Sequence, residues 1–511
     1  MLGSNRFANT TASTPGRRFA AIGLLATFCI AVSADVVRYD GHKVVRAFLQ
    51  DEQQLDFVRT ITNDIWSHAE GVGPLEFRVD PSQFSVLASS GIEYEVLIDD
   101  VQTLIDAEQS IIIAGGDPFT TYLPLADVEA YLQSLVNLRP DLAQPIVVGT
   151  SLEGRPMRGI RITGAGAGTK PGIFFHGAQH CREWITVPAT LHIADQLIRN
   201  YDTDPYIRRL VDRNEWFLLP VVNVDGYVFT WTTERLWRKN RRDNGDGTFG
   251  VDLNRNWGYQ WGSNNGSSGN TNSETYRGPS AFSEPETQAL RDFIIAHNNL
   301  VGYCDTHSYS QLVLWPWGYT SDVTIDEPFF QSFGQTMANI LAEPFGTQYV
   351  AGPVNTTIYP VSGGSVDWLY GARGIKAIST ELRDTGEFGF VLPADQITPQ
   401  CIEMTPAMLY YADRVSAPLN ISLPNGVPSY ISPNSPLSID VRIDNLLGIA
   451  DPNTALLHFR TTANGAFQSV GLVHLTGPNY RADFPPRNCG APTTFYMTAA
   501  DTNGALTYYP P

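Results

Sequence analysis

Basic residues are scarce in this chain of 511 residues. Thirty-four lysines and arginines stand against 52 aspartates and glutamates, a formal net charge of -18. That balance excludes a protein built to hold a phosphate backbone, which needs clustered cations. The scarcity is sharpest from Val79 to Leu138, a stretch with no lysine or arginine at all. Cysteine is also rare, at five residues. Cys29 falls in an N-terminal apolar segment. Cys181, Cys304, Cys401 and Cys489 remain, and four cysteines allow three pairings among which the sequence does not choose. After residue 34 no run is apolar enough to span a bilayer, and no strong internal repeat is present.

What is there has globular composition, 43% hydrophobic and 17% charged, with length for two or three domains. Residues 1–34 read as a secretory signal: Arg17 and Arg18, an apolar run from Phe19, and small residues Val32-Ser33-Ala34 before Asp35. Residues 35–118 read as a small α+β unit with helices on one face of a sheet. Its strands are expected at 43–49, 75–79 and 94–98, and Ala114-Gly115-Gly116-Asp117-Pro118 marks its linker. Residues 119–416 alternate apolar strands with helices, the pattern of an α/β fold with a mainly parallel sheet. Asp127 is expected to cap its first helix. Residues 417–511 turn to short alternating runs between turn signals, the pattern of a β-sandwich.

His180-Cys181-Arg182-Glu183 carries the chemistry, together with His307, 124 positions beyond Glu183. Two imidazoles and a carboxylate suit a catalytic zinc that keeps a fourth position open. Three-residue spacing on a helical turn lets His180 and Glu183 converge. Cys181 points the other way and packs. Downstream, Arg235, Arg238 and Arg255 with Asn254 offer forks and amides for a carboxylate or a developing oxyanion.

Seven stretches in order then resemble the motif set of secreted zinc carboxypeptidases of the A/B type. They are His180–Trp184, Arg235–Lys239, Asp252–Trp257, Thr306–Gln311, Ile358-Tyr359, Ser362–Trp368 and Glu381–Gly386. The resemblance implies one zinc ion per chain, held by His180, Glu183 and His307. It implies that Glu381 is the general base and that Arg238 polarises the scissile carbonyl. Asn254, Arg255 and Tyr359 would grip the terminal carboxylate, and Arg182 and Tyr309 the residues upstream. Asp252 would fix the tautomer of His180. The first unit resembles the family's inhibitory pro-region, whereas the C-terminal module lies outside the usual digestive-enzyme plan.

Specificity follows from the residue aligned with the pocket base, Val366. An acid there would select basic residues. Valine and the aligned Leu314, Val354, Ile358 and Val361 favour aliphatic or aromatic termini, with Val361 trimming the largest. Two departures stand out. Thr248 and Asn272 replace a cysteine pair common in digestive members, so that loop must be held otherwise. The linker also lacks any target for a trypsin-like cut. The expectation is a secreted, monomeric proenzyme acting on peptide or protein C-termini, with no nucleic-acid partner and no membrane insertion once the signal is gone. A carboxypeptidase of cell-wall peptides and a non-catalytic peptide binder are the alternatives.

Overall fold

The computed structural model describes residues 36–67, 71–165, 170–428, 434–462, 464–486 and 493–510. The expected signal segment and Cys489 lie outside these residues.

The first unit is built from β1 (Lys43–Leu49), α1 (Glu52–Ile61), β2 (Gly73–Val79), α2 (Pro81–Ala88), β3 (Tyr94–Ile98) and α3 (Val101–Ser110). Three aspartates start its helices. Asp51, Asp80 and Asp100 each accept backbone N–H groups of a first turn, the usual role of an aspartate N-cap. The antiparallel sheet runs β2-β1-β3. Val45, Leu75 and Phe77 pack with Leu55, Val58 and Leu87 of α1 and α2. The third helix departs from the expected single layer. Val101 and Ile105 of α3 join Val44, Ile98 and Trp66 in a second cluster with Leu236, Tyr309, Phe390 and Val391. One face of the sheet is thus apolar and packs on α1 and α2, while the other carries Val44 and Ile98 beside the charged Arg46, Glu76, Arg78 and Glu95 and meets α3 and the next unit.

The middle unit opens with α4 (Leu125–Leu138), β4 (Ala143–Thr150), β5 (Pro156–Ile162) and β6 (Gly172–His176). It continues through α5 (Thr186–Arg199), α6 (Pro205–Arg213), β7 (Glu215–Leu219), α7 (Val224–Thr232), α8 (Pro285–Ala296) and β8 (Leu300–His307). It closes with β9 (Leu312–Trp315), α9 (Glu327–Ala342), β10 (Val350–Pro353), α10 (Val354–Thr357), α11 (Ser365–Arg373), β11 (Lys376–Glu381) and α12 (Ile397–Ser416). One eight-stranded sheet results, ordered β10-β9-β11-β8-β6-β7-β5-β4. Its centre, β11-β8-β6-β7, is parallel, and β9, β5 and β4 supply the antiparallel pairings. All of β6 and β7 is buried, as strands covered by helices on both faces must be. Asp127 does not cap α4. Pro124 occupies the N-cap, and Asp127 in the first turn accepts the N–H of Gly115 in the linker.

The last unit contains β12 (Leu419–Ser422), β13 (Leu437–Asn445), β14 (Leu456–Arg460), β15 (Gln468–Gly471), β16 (Val473–Thr476), β17 (Asn479–Phe484), β18 (Thr494–Ala500) and β19 (Leu506–Tyr509). They form two four-stranded antiparallel sheets, β12-β13-β17-β16 and β15-β14-β18-β19. Ile439, Val441 and Ala482 of one face Leu457, Phe459 and Met497 of the other in a single core. The alternation read from the sequence is thus a sandwich.

Candidate metal centre and substrate cleft

Ligands in a parallel sheet gather beyond the carboxyl ends of its strands. Here β8 ends on His307 and β11 on Glu381, and the two residues are register partners. The segment that follows β6 supplies His180 and Glu183. It is a turn, closed by Glu183 N–H to the His180 carbonyl at 3.2 Å, and α5 begins only at Thr186. The three-residue spacing works as expected, but in a turn rather than a helix. Such a turn frees both side chains to point away from the helix axis.

Glu183 sits between the imidazoles. Its Oε1 is 2.8 Å from His180 Nδ1 and its Oε2 is 3.0 Å from His307 Nδ1. One ligand atom from each of the three lies within 4.8 Å of the others, and all three residues are buried. The far side of each ring is also engaged. His180 Nε2 meets Asp252 Oδ1 at 3.0 Å and His307 Nε2 meets Asp305 Oδ1 at 3.0 Å. Two Nδ1 atoms and a carboxylate converge, and each imidazole is backed by a further carboxylate. That donor set fits zinc. Burial acts to raise the Glu183 carboxyl, but the two imidazoles outweigh it and hold the group well below its ordinary range. Glu381 moves the other way: burial raises it well above the usual carboxyl range and Glu183 adds to this, against His307 and Arg238.

The arginines line one wall. Arg238 donates to Asp252 Oδ2 at 3.0 Å and lies 3.6 Å from Glu183. Arg255 donates to the carbonyls of Asn254 and Gly266 and to the Tyr359 hydroxyl at 3.0 Å. Asn254 Oδ1 accepts the N–H of Ser365, the first residue of α11. Gly363 makes this seat possible. Its φ is +68°, and a Cβ there would lie 2.4 Å from the Arg255 carbonyl. Val366 then enters a small pocket with Leu314, Val354, Ile358, Val361 and Ser379, beside Arg255, Tyr359 and Glu381. The free space inside is about 30 Å³, roughly room for one water.

Arg182 and Tyr309 stand apart from this group, under the first unit. Arg182 donates to Asp64 at 3.1 Å and to the Ile65 carbonyl at 3.3 Å, and its guanidinium stacks on Phe390 at 3.9 Å. The Tyr309 hydroxyl donates to Glu76, and Trp66 packs edge-on against Phe390 and Tyr309. Arg235 forms a bidentate, fully buried pair with Glu108 of α3 at 2.6 and 2.8 Å. A cavity of about 720 Å³ persists between Arg255 and Tyr359 on one side and Leu55, Arg59 and Asn63 on the other.

Cys181 turns from the metal site, as expected, and donates to the Trp237 carbonyl. Cys181, Cys304 and Cys401 are free thiols. Asp246 ties the loop that lacks a cysteine pair, accepting from Thr248 N–H and hydroxyl and from the Thr271 hydroxyl. Lys239 adds bonds to the Thr271 and Ser273 carbonyls. Sequence reasoning missed Asp305, Ser365 and Gln179 behind the metal site, and Asp64, Trp66 and Glu108 over the cleft. Asp305 had a usable signal: it lies two before His307 on a strand, hence on the same face.

The zinc carboxypeptidase family profile matches residues 128–407, and that of the carboxypeptidase activation peptide residues 45–108. The chain belongs to the zinc carboxypeptidase family. It is 37% identical to carboxypeptidase B of Rattus norvegicus, over 77% of this chain and 98% of the relative. Carboxypeptidase A1 of Sus scrofa is 35% identical, over 75% and 97%. Among solved structures, carboxypeptidase A of Helicoverpa armigera superposes with a TM-score of 0.65 at 30% identity, covering 74% of this chain and 98% of that one. Thrombin activatable fibrinolysis inhibitor superposes with a TM-score of 0.68 at 28% identity, covering 74% and 99%. This carboxypeptidase is therefore a zinc metalloenzyme acting on peptide C-termini and made as a proenzyme with an activation peptide. No helix among the described residues is long and apolar enough to cross a membrane.

Proposed function

We propose that this carboxypeptidase is exported, works as a monomer, and removes apolar residues from peptide C-termini once its first unit has been released. The observation that carries the reading is the apolar pocket ending on Val366 directly beside the Arg255 guanidinium. Arg255, Asn254 and Tyr359 hold the terminal carboxylate, and the last side chain enters the pocket. Among the pocket's lining residues the only carboxylate is Glu381, whose proposed task is proton transfer, so a lysine or arginine would be buried without a dedicated partner, which is costly. With about 30 Å³ free, aliphatic side chains need less rearrangement than aromatic ones.

His180, Glu183 and His307 hold the zinc. Bound there, zinc supplies Lewis acidity that lowers the pKa of a water and polarises a carbonyl. Glu381 takes a proton from the attacking water and passes it to the leaving amine. Arg238 donates to the carbonyl oxygen as negative charge develops on it. Arg182 and Tyr309 contact residues upstream of the scissile bond. Because Asp64, Glu76 and Trp66 engage these two, the first unit denies a long peptide its upstream half-site.

The test uses processed enzyme, with and without chelator, on peptides that differ only in the last residue. Leucine or isoleucine should go fastest, phenylalanine next and lysine slowest, with activity lost on chelation and restored by zinc. C-terminally amidated peptides should be poor substrates. Fastest release of lysine would overturn the pocket assignment, and full activity in the metal-free enzyme would overturn the ligand set.

A further inference from the structure

We infer that Asp305 is the positioning residue for His307, making the metal centre of this chain a doubly braced one with a separate carboxylate behind each imidazole. The inference rests on the ligand set proposed above and concerns how that set is held. If Nδ1 of His307 faces the metal, its lone pair is committed there, so Nε2 must carry the ring proton and needs an acceptor. Two polar atoms approach Nε2: Asp305 Oδ1 at 3.0 Å and Asn254 Nδ2 at 3.1 Å. The second cannot serve. It is an amide nitrogen, identified as such because the Oδ1 of the same side chain accepts the Ser365 N–H at 2.9 Å. Only the carboxylate is an acceptor: its Oδ1 is buried and stands at ion-pair distance from Nε2, though not aligned there as a hydrogen bond.

Strand geometry makes the pairing rigid. Asp305 and His307 are two apart on β8 and share a face. Asp305 is in register with His176 on one neighbouring strand and Ser379 on the other. Its carboxylate is clamped from several directions. Oδ2 accepts Gln179 Nε2 at 2.8 Å and Ser365 Oγ at 2.6 Å, and His176 Nδ1 lies 3.4 Å from Oδ1. His176 is itself fixed by the Tyr303 hydroxyl on its Nε2. Asp305, His176 and Gln179 are fully buried. A carboxylate held by an amide and a hydroxyl, with an imidazole packed 3.4 Å away, cannot rotate freely, and this restrains the ring beside it. His176, otherwise a core histidine, packs beside the carboxylate proposed to orient a ligand.

The experiment uses the full proenzyme and zinc itself. Zinc dissociation constants are measured by chelator competition for the unmodified protein, Asp305→Asn, Asp305→Ala and Asp252→Asn, with thermal unfolding of each metal-free form. Removing such partners typically weakens metal binding about 10–100-fold. Asp305→Asn should lose at least about tenfold, comparably to Asp252→Asn, while the metal-free form still unfolds cooperatively. Affinity within twofold of the unmodified protein would overturn the inference. If the Asp305 variants do not fold, imidazole ¹⁵N–¹H spectra of the zinc-loaded unmodified protein decide instead. His307 should show a protonated Nε2 with its proton far downfield, and an unprotonated or metal-bound Nε2 would refute the pairing. An unmodified protein without zinc affinity would fail the ligand set itself, a separable result.

Discussion

At the scale of single residues, position on a strand end determines chemistry. Glu381 shares its register with His307 but is not one of the convergent donors. Its carboxyl is pushed up by burial. Glu381→Gln should retain stoichiometric zinc, measured by metal analysis, while kcat falls by about 10²–10⁴-fold, the usual scale of general acid–base catalysis. A near-normal rate would move the base elsewhere. Val366 tests selectivity. It is 7% exposed and lines the pocket, where an aspartate would face a substrate cation in low dielectric. Val366→Asp should shift the ratio of kcat/KM for terminal lysine over leucine by at least about tenfold, which corresponds to about 1.4 kcal/mol. An unchanged ratio would mean that the side chain of the departing residue lies elsewhere.

Among the elements, those with strong local signals were readable from sequence. Strands β1, β3, β6, β8 and β11, helices α1, α3, α5 and α8, and the sandwich strands β13, β14 and β18 all carry apolar periodicity or unbroken apolar runs. The metal ligands were readable through the resemblance of seven ordered stretches to the family, and the structure brings His180, Glu183 and His307 together; spacing and residue type alone left chance and surface ion pairs open for them and for the arginines. What escaped was weakly encoded. Strands β9 and β10 have four residues each, too few for a periodic signal. Helix α12 carries Pro406 inside it and is buried nearly all round, from Cys401 and Met404 to Tyr411 and Asp413, so it shows neither a clean stripe nor a clean stop. Asp64, Trp66 and Glu108 escaped for another reason. Nothing local marks a residue whose partner is more than a hundred positions away. Helix α3 shows what such a residue does. Its Glu108 reaches Arg235, with the side chains 1% and 3% exposed, and Arg235 also stacks on Trp184 at 3.7 Å. Glu108→Ala would leave a buried guanidinium without its carboxylate, at a cost of about 3–5 kcal/mol. The uncut proenzyme should then leak activity on short peptides well above the unmodified proenzyme, and its first unit should detach at lower urea. Equal leakage in both would show that α3 does not anchor the first unit.

For the whole molecule, the decisive segment joins the first unit to the enzyme. Ile111 and Ile113 are 45% and 67% exposed, unusual for isoleucine next to an apolar interface. Gly115 N–H to Asp127 and the Thr121 hydroxyl to the Ile111 carbonyl tether the exposed stretch from Ile111 to Gly115, whereas Phe119 beyond it is packed on Tyr131 and His192 and accepts from the Thr398 hydroxyl. Exposed turns with few bonds are where proteases enter, yet no lysine or arginine lies between Val79 and Leu138. A protease that prefers apolar or small residues should therefore cut between about 109 and 121 and activate the enzyme, whereas trypsin should not. One cut does not remove the first unit. The Asp64–Arg182, Glu76–Tyr309 and Glu108–Arg235 contacts, together with the apolar cluster around Trp66 and Phe390, all lie outside the cleaved stretch. Activity should consequently lag behind cleavage, and dilution or further digestion of the freed unit should shorten the lag. The measurement is limited digestion with parallel assays, the new N-terminus being read by mass spectrometry. Activity rising in step with the first cut would mean that the linker, and not the interface, holds the inhibitor in place. Full activity of the uncut chain would mean that covering Arg182 and Tyr309 does not close the cleft, and that the first unit serves folding alone.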